Sequence, residues 1–273
     1  MKKKLAIVIL TYNSEKNIQK TLNSIKSISK NIFIIDSYSD DKTLKISKKF
    51  NCKIIQRKFI NYSNQRNWII NRLNKDFEWQ LHLDADESLD INLIKSIKKT
   101  ISNINKKRSF LIKRKYYFLG KKLNYPGLNE WHLRLFKSKS TTCENRSYDQ
   151  HFITKSKTYK INSGYMHDND KLNLKLWKDK HRRWAKMEAY DIKNKKIYKN
   201  KFKKKFDPRY YSRDLKRLYY HLPKYLRVFC YFIYRYFFKL GFIDGKIGFL
   251  FCFYQAFWFR LLVDYEISKL ENE

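Results

Sequence analysis

Short strand-like segments alternate with helix-like segments through the first 90 residues, and this alternation is the strongest constraint on the fold. The strand-like segments are Leu5–Leu10, Ile32–Ile35, Lys53–Gln56 and Trp79–Leu83. The intervening segments have helical character: Ser14 can cap a helix in which Ile18, Leu22 and Ile25 recur at helical spacing. Two further helices are predicted at Asp40–Lys49 and Asn64–Leu73. Strands that alternate with helices in this way predict a mostly parallel, doubly wound α/β sheet.

The pattern changes twice further along the chain. Three more strands are predicted in the middle, at Phe110–Ile112, Tyr116–Leu119 and Leu133–Phe136. From about Leu172 the pattern becomes helical and strongly basic. We therefore predict an α/β domain over residues 1–170, followed by a basic helical extension over residues 171–273.

The fourth strand ends in a group of carboxylates. Asp84, Asp86 and Glu87 follow its apolar residues, at the strand end where open α/β sheets place their ligands. Carboxylates spaced as Asp-x-Asp supply hard oxygen donors for Mg²⁺ or Mn²⁺, which in turn can neutralise a diphosphate. The alternative interpretation is an acidic start to the next helix, with Asp90 as the N-cap of a helix over residues 91–104.

The charge of the chain is extreme and uneven. The formal net charge is +36. Residues 1–90 contain 17 Lys and Arg against 10 Asp and Glu, whereas residues 91–273 contain 44 against 15. The excess predicts an acidic partner for the later region, which can be anionic lipid, nucleic acid or a phosphorylated substrate. Part of it also fits the codon bias of an AT-rich genome, since Lys, Asn, Ile, Tyr and Phe are abundant throughout.

The cysteines and the N-terminus both indicate a cytoplasmic protein. Cys52, Cys143, Cys230 and Cys252 are scattered without metal-binding spacing, which favours free thiols in a reducing compartment. The apolar run after Met1 is short and leads into polar residues without a small-residue cleavage site. We interpret that run as the first strand of the sheet and not as a signal peptide.

The last third combines aromatic residues with regularly spaced positive charges. In Tyr225–Val263 the longest uncharged stretch, Ile247–Phe259, has 13 residues, whereas a membrane-spanning helix needs ~20. Two amphipathic helices hinged near residues 241–245 are predicted, with their aromatic sides in the headgroup region of an anionic membrane. A helical subdomain packed on the catalytic core is the alternative. The basic run Lys195–Lys205 is predicted to be a linker or a lipid-facing patch.

Four motifs of the first 90 residues resemble, in order and spacing, those of family-2 glycosyltransferases with the GT-A fold. They are Val8–Glu15, Ile35–Asp40, Asn64–Asn67 and Leu83–Glu87. Later segments agree with this resemblance, which covers roughly residues 5–190: Arg134–Phe136, Asp149–His151, Gly164–His167 and Trp177–His181. The branch most similar is that of bacterial lipopolysaccharide-core and exopolysaccharide transferases.

The resemblance implies a reaction and its partners. An inverting, metal-dependent glycosyltransferase is expected, which transfers a hexosyl-type sugar from a nucleotide-sugar donor, with a UDP-sugar favoured. The acceptor is expected to be lipopolysaccharide, a lipid-linked molecule or another glycan. A cytoplasmic protein attached peripherally to the inner face of the cell membrane is expected, with no nucleic acid as a partner.

The resemblance also assigns donor-binding residues. The backbone of Thr11 and Tyr12, after the first strand, would edge the nucleotide base, and Asp36 would accept a hydrogen bond from it. Arg66 would reach a phosphate, Asp84 would contact ribose, and Asp86 would bind Mg²⁺ or Mn²⁺. The other donor-binding residues are expected to be Asn13, Glu15 and Ala85. For Asp36 the alternative is a turn-forming residue, and for Arg66 it is a salt-bridged surface arginine.

The acceptor side is assigned from the segment that ends in His151. Inverting transfer needs a carboxylate that takes the proton of the attacking hydroxyl. Relatives often have Glu where this chain has Gln150, and an amide cannot act as a base, so Asp149 is the predicted base with Gln150 and His151 beside it. The alternative is a loop carboxylate that pairs with Arg146. His167 is a further candidate metal ligand, with an uninvolved surface histidine as the alternative.

Two other classes of function stay open at this point. Lys and Arg that contact phosphates, together with aromatic residues that stack on bases, would also suit a nucleic-acid-binding protein. A transferase-like fold that has lost its activity and serves in an assembly is the third possibility, which the Gln150 departure supports.

Overall fold

The computed structural model describes residues 3–103, 108–128, 130–168, 173–194, 207 and 209–272. The chain divides into two compact units. The first unit comprises Met1–Lys115, Glu130–Asn145 and Gln150–Asp170, and the second comprises Tyr116–Asn129, Arg146–Asp149 and Lys171–Glu273. The last residue of the first unit coincides with the predicted boundary, whereas two short segments from before that boundary belong to the second unit.

The first unit is built from alternating strands and helices, as the sequence predicts. Its strands are β1 (Lys3–Thr11), β2 (Ile32–Asp36), β3 (Lys53–Gln56), β4 (Phe77–Asp84), β5 (Glu87–Leu89), the first part of β6 (Arg108–Phe118), β8 (Trp131–Lys137), β9 (Thr141–Cys143), β10 (Phe152–Thr154) and β11 (Lys157–Asp168). Its helices are α1 (Ile18–Ile25), α2 (Thr43–Lys49), α3 (Tyr62–Leu73) and α4 (Ile91–Asn103).

The main sheet has the strand order β3-β2-β1-β4-β8-β6-β11-β5. The four strands from β3 to β4 are parallel, so their carboxyl ends share one edge. Strand β8 is antiparallel to both β4 and β6, and β5 is antiparallel to β11. The predicted α/β class with a largely parallel doubly wound sheet is confirmed.

Both faces of the parallel strands are buried. On one face Ile7, Ile9 and Leu81 pack against α1, and on the other face Val8 and Ile35 pack against α3. Burial on both sides is why these strands are continuous apolar runs and not alternating ones. Apart from Gln80 and His82 inside β4, the polar residues of this core lie mainly at the strand ends.

Two local expectations are wrong in detail. The predicted Ser14 side-chain cap is absent, because its hydroxyl donates to the Tyr12 carbonyl and α1 begins only at Ile18. The predicted strands at residues 110–112 and 116–119 are parts of the single strand β6. By contrast, Asp90 caps α4, as the alternative interpretation of the carboxylates expected, with its Oδ1 2.9 Å from the Leu93 amide nitrogen.

The second unit is mainly helical. The end of β6, Tyr116–Phe118, pairs with β7 (Lys121–Leu123) in a hairpin. The helices are α5 (Leu174–Lys193), α6 (Tyr210–His221), α7 (Leu226–Ile233), α8 (Gly245–Cys252) and α9 (Phe259–Asn272), with π-helical turns at Tyr234–Phe238 and Phe253–Trp258. The run Lys195–Lys205, predicted to be a linker or a lipid-facing patch, lies outside the described residues.

The predicted break in the tail is confirmed. Leu240 has a left-handed φ of 59°, and a 3₁₀ turn over Gly241–Asp244 separates the helix that starts at Leu226 from the helix that follows. The second helical stretch, Gly241–Asn272, is long and apolar enough to cross a membrane by length and composition. The expectation that no such segment exists is therefore wrong, although core helices meet the same criterion and Phe259 and Val263 are fully buried against α5.

Candidate active site

The carboxyl ends of three adjacent parallel strands bring the predicted donor-binding residues together. In the register of the sheet, Thr11 at the end of β1 is opposite Asp36 at the end of β2. On its other side β1 pairs with β4, where Leu10 is opposite Asp84. The sheet thus places residues that are far apart in sequence at one edge, as the parallel order requires.

Asp36 holds the ends of β1 and β2 together. Its carboxylate accepts hydrogen bonds from the Thr11 hydroxyl at 2.8 Å, from the Ser39 amide at 2.8 Å and from the Ser39 hydroxyl at 2.5 Å. The Asp36 side chain has no exposed surface. The carboxylate predicted to contact the base is therefore covered by the Thr11 and Ser39 hydroxyl groups. Contact with a base would require one of them to move.

The loops after β1 and β2 are tied to each other by short polar contacts. The Asn13 amide donates to the Ser39 hydroxyl at 2.9 Å, the Glu15 amide donates to Asp41 at 2.9 Å, and Glu15 accepts from the Lys42 amide at 3.1 Å. Burial opposes ionisation of Asp41, but hydrogen bonds from Thr43 and from backbone amides hold its pKa below the usual range. Asn13 and Glu15 therefore shape this edge of the site.

Two tyrosines project from these loops. Tyr12 is 64% exposed and Tyr38 is 59% exposed. Tyr12 precedes Asn13, which has a φ of 45°, and Tyr38 itself has a φ of 62°. Non-glycine residues in this region cost energy and concentrate at functional sites. The sequence indicated Tyr12, but it gave no separate role to Tyr38.

Asp84 is bound by two arginines. Arg66 of α3 forms an ion pair with one carboxylate oxygen, and Arg134 of β8 donates to the other at 2.8 Å. Desolvation acts to raise the pKa of Asp84, but Arg134 and Arg66 outweigh it and hold that pKa well below its usual range. The alternative of Arg66 as a surface residue is wrong, because it is 3% exposed.

Glu87 contacts both Asp84 and Arg134. One carboxylate oxygen accepts from Arg134 at 2.5 Å, and the other accepts from the Asp84 backbone amide at 2.9 Å. Arg114 of β6 lies 3.7 Å from Glu87 and also pairs with Asp168 of β11. Burial raises the pKa of Glu87 despite these cations. Glu87 thus fixes both Asp84 and Arg134.

His82 is a neutral spacer behind Arg66. Burial and the neighbouring Arg66 hold the pKa of His82 well below its ordinary value. Its Nε2 lies 2.9 Å from Gln80 Oε1, so Nε2 carries the proton, and its Nδ1 can accept from Arg66 at 3.3 Å. The neutral His82 ring therefore positions Arg66 without adding a further positive charge beside it.

The candidate metal ligands lie on neighbouring segments. Asp86 precedes β5, and His167 of β11 is opposite Ser88 of β5 in the sheet register. Within the described residues, no group of three or more His, Cys, Asp and Glu side chains is arranged to hold a metal. Since Asp84 is already paired with two arginines, Asp86 and His167 fit only a site completed by other oxygens. Mg²⁺ is commonly held in that way, by one or two carboxylates and substrate phosphates.

A glycine explains part of the segment around His167. Gly164 has a φ of 80°, and a Cβ atom there would collide with Leu93 and Asp90. The next residue, Tyr165, donates its amide to Asp90 at 2.8 Å. His167 itself lies 3.8 Å from Asp90, and burial lowers the pKa of His167. Asp90 thus contacts both the first turn of α4 and the candidate metal ligand His167.

On the predicted acceptor side, His151 and Glu144 are joined. The His151 amide donates to the Glu144 carboxylate at 3.0 Å, and the Glu144 amide donates to the His151 carbonyl at 2.9 Å. Gln150 precedes this pair and is half-buried, and all three residues belong to the first unit. Glu144 is therefore a buried anchor of the loop.

Asp149 belongs to the second unit, where it is surrounded by cations. Its carboxylate lies 2.8 Å from Lys216 Nζ and 3.9 Å from Arg146. Its φ of 51° is left-handed, and its side chain is 32% exposed. The pairing with Arg146 that the sequence suggested as the alternative is present. The assignment of Asp149 as the base stays a prediction.

Sequence reasoning gave no separate role to the two residues that complete the arginine–carboxylate network. Arg134 lies in a motif that the resemblance includes, and Glu87 directly follows the Asp-x-Asp. An arginine on a buried strand needs a carboxylate partner, and this requirement could have pointed from Arg134 to Glu87. The strand that begins at Glu87 is too short to be recognised by periodicity.

Comparison with known proteins shows the family of the chain. The family model "Glycosyl transferase family 2" matches residues 6–167, so the chain belongs to that family. Uncharacterized glycosyltransferases of Rickettsia typhi and Rickettsia bellii are 31% and 30% identical to it over 106 residues, which are 39% of this chain. These matches span only 36% and 35% of the relatives' lengths.

A solved structure supports the fold class over almost the whole chain. The structure of S. aureus TarS 1–349 in complex with UDP-GlcNAc has a TM-score of 0.50 and 13% identity, and it covers 99% of this chain and 92% of that one. This similarity concerns the fold alone. The expected resemblance to family-2 enzymes with a GT-A-like fold is confirmed.

Proposed function

We propose that this chain is an inverting glycosyltransferase that transfers a sugar from a nucleotide-sugar donor to a lipopolysaccharide, lipid-linked or other glycan acceptor. The observation that carries the proposal is the edge formed by β1, β2 and β4 within a family-2 domain. There, Asp36 joins two strand ends and two buried arginines bind Asp84. The UDP-GlcNAc complex of the TarS protein makes a UDP-sugar the first donor to test.

Each element of this edge has a proposed role in donor binding. The exposed rings of Tyr12 and Tyr38 can stack on the base, since an aromatic face suits any nucleobase. Asp36 sets the positions of both loops and can take the base imide when a Thr11 or Ser39 hydroxyl turns away. Asp84, held by Arg66, is proposed to accept a ribose hydroxyl, because its orientation is fixed before the donor arrives.

Asp86 and His167 are proposed to hold Mg²⁺ or Mn²⁺ together with the diphosphate of the donor. When bound, the ion would neutralise the charge that develops on the leaving diphosphate. Asp84 contributes little to such a site, because two arginines occupy its oxygens.

For the acceptor, Asp149 is proposed to take the proton of the attacking hydroxyl. Lys216 and Arg146 hold its carboxylate in position within the second unit. Gln150 and His151 are proposed to contact the acceptor beside it. The bond between the anomeric carbon and the diphosphate oxygen breaks as the acceptor oxygen attacks from the opposite face.

Titration of UDP in the presence and absence of Mn²⁺ tests the donor site, with Asp86→Ala as the variant and Asp76→Ala as the matched control. Asp76 lies in the turn before β4. We expect Mn²⁺ to strengthen UDP binding to wild type and to the control, and to have no effect on Asp86→Ala. Unchanged metal-dependent binding in a folded Asp86→Ala protein would remove the metal role.

Transfer or hydrolysis across UDP-, GDP- and dTDP-sugars then identifies the donor. If no nucleotide binds but single-stranded oligonucleotide does, in a salt-sensitive manner, the protein is a nucleic-acid-binding protein and the enzyme proposal fails. Binding of donor without turnover on any acceptor would favour an inactive assembly protein.

A further inference from the structure

In the helix from Leu226 to Phe238 the charged side chains are buried and the large apolar side chains are exposed. Its two arginines point inward: Arg227 is 3% exposed and Arg235 has no exposed surface. Large apolar residues point outward, with Phe229 58%, Phe237 55% and Phe238 75% exposed. A surface helix in water normally shows the opposite arrangement, with charges outside and apolar residues inside.

Both inward arginines have partners within the second unit. Arg227 donates through Nε to both carboxylate oxygens of Asp264 at 3.1 Å, and it donates to the Tyr220 carbonyl at 3.1 Å. Arg235 donates to the Pro126 carbonyl, and its guanidinium lies over the Phe251 ring. The reversal is therefore built into the packing, because turning the helix would leave Asp264 buried without its counter-charge.

The outward face is continuous and uncharged. We name it the aromatic face and define it by the exposed positions of this helix: Leu226, Phe229, Cys230, Ile233, Tyr234, Phe237 and Phe238. These positions follow helical spacing at one side of the helix. Phe242, Ile243 and Phe249 are exposed apolar residues in the segment that follows. A clustered apolar surface of this kind marks an interaction site.

Lysines stand beside the aromatic face. Lys239 directly follows Phe238, and Lys246 lies in the first turn of α8; both are exposed. Within residues 222–249 there are five Lys and Arg against one Asp. Exposed lysines next to exposed aromatic residues suit the border of an anionic bilayer, where rings enter the headgroup region and ammonium groups meet phosphates.

We propose that the aromatic face binds the surface of an anionic lipid bilayer, with the helix Leu226–Phe238 lying parallel to the membrane. The helix is about 20 Å long at 1.5 Å per residue, so it is too short to span a bilayer. A second copy of this chain is a poorer occupant, because the chain carries a net charge of +36 and two copies would repel each other. Anionic lipid complements that charge.

This surface differs from the one that composition suggested. In the sequence, Arg227 and Arg235 look like the headgroup-binding side of an amphipathic helix. The structure assigns them to the interior and leaves the exposed lysines as the basic groups.

Co-sedimentation of the full chain with vesicles tests the proposal. The vesicles contain either phosphatidylcholine alone or phosphatidylcholine with phosphatidylglycerol. We expect the wild-type protein to bind the anionic vesicles, and we expect the variant Phe229→Ser, Phe237→Ser, Phe238→Ser to bind them at least about tenfold more weakly. The matched control Ile60→Ser, Ile91→Ser removes apolar residues that are 65% and 69% exposed in the first unit, and it should bind like wild type.

The charge contribution is tested separately. Lys239→Ala and Lys246→Ala should each weaken binding about fivefold at low salt, and the loss should shrink as salt rises. Circular dichroism and thermal unfolding should show every variant folded, since the replaced side chains are exposed.

Three outcomes would overturn the proposal. One is a wild-type protein that ignores anionic vesicles. Another is a folded aromatic-face variant that binds them as well as wild type. The third is a wild-type dimer in sedimentation velocity that the aromatic-face variant abolishes, without vesicle binding, which would assign this face to a second copy of the chain.

Discussion

In the first unit Asp84 and its two arginines meet at an open edge of the sheet, whereas in the second unit three carboxylates are enclosed and an exposed helix surface is apolar. Asp84 pairs with two arginines and still has 42% of its side chain exposed. In the second unit, Glu188, Asp191 and Asp264 have no exposed surface. The same residue types therefore occur in two different surroundings.

The difference indicates two different uses of ion pairs. A buried pair whose partners satisfy each other is part of the packing, and its loss destabilises the fold. A pair that stays open to solvent at a strand end is prepared to accept a ligand without further rearrangement. Perturbed groups at such an edge are candidates for function, while sealed networks are not.

Asp149 gives the strongest test of the contrast between the two units, because it belongs to the second unit but its side chain is partly exposed. If it is the base, Asp149→Asn should keep UDP affinity and lower turnover by about 10²–10⁴. Initial rates at saturating donor, combined with titration of UDP, measure both quantities.

The control for this variant is Lys216→Gln, which removes the main cation beside Asp149 but leaves its carboxylate. Full turnover in Asp149→Asn would move the base elsewhere, with Glu144 and Asp168 as the next candidates. A fall in thermal stability without a change in turnover would show that Asp149 stabilises the fold, as the enclosed carboxylates of the second unit do.

Asp264→Ala tests the enclosed side of the comparison. It leaves Arg227 buried without its carboxylate, so we expect a loss of about 3–5 kcal/mol in the free energy of unfolding. Denaturant unfolding measures it, with Glu266→Ala on the same helix as the control. UDP affinity of the folded fraction should be unchanged. A loss below about 1 kcal/mol, the usual value of an exposed pair, would break the distinction between the two units.

Asp36→Ala tests the open edge. It removes the acceptor of three hydrogen bonds at the ends of β1 and β2, and we expect a loss of about 1–3 kcal/mol in UDP binding. Because the carboxylate is buried, the unfolding free energy should fall as well. Asp40→Ala, at an exposed position of the same loop, should change neither quantity. If only stability fell, Asp36 would be a structural residue of the turn.

His181 supplies a smaller, pH-dependent test within the second unit. Burial lowers its pKa from the ordinary 6.5 to about 3, and it is hydrogen bonded to the Trp177 carbonyl and the Gln255 side chain. Below pH 6.5 His181 is protonated in the unfolded chain but stays neutral in the folded protein. The stabilising contribution is therefore complete above pH 6.5 and is lost as the pH falls towards 3.

The expected slope is about 1.4 kcal/mol per pH unit in the unfolding free energy. His181→Gln should reduce the measured slope between pH 5 and 6 by about that amount, whereas His221→Gln should leave it unchanged, since His221 is exposed. An identical slope in wild type and His181→Gln would show that His181 is charged inside the fold.

Local patterns were sufficient for the parallel half of the sheet. The strand Lys53–Gln56 has the predicted bounds, and the strands that end at Asp36 and Asp84 are extended by only a few residues. These strands are buried on both faces, so an apolar run identifies them directly. Because parallel strands share their carboxyl edge, the sequence also predicted that Asp36, Asp84 and Thr11 would lie together.

By itself, the sequence determined the order of strands and helices, the polar residues at the strand ends and the break in the tail. Only the tertiary structure decided which distant charges meet. Asp84 pairs with Arg134, fifty residues later, and the tail arginines turn inward to Asp264 and Pro126. The physical reason is that periodicity records which side of a segment is buried on average. It does not record which remote partner satisfies a buried charge, and that partner alone makes the burial of an arginine favourable.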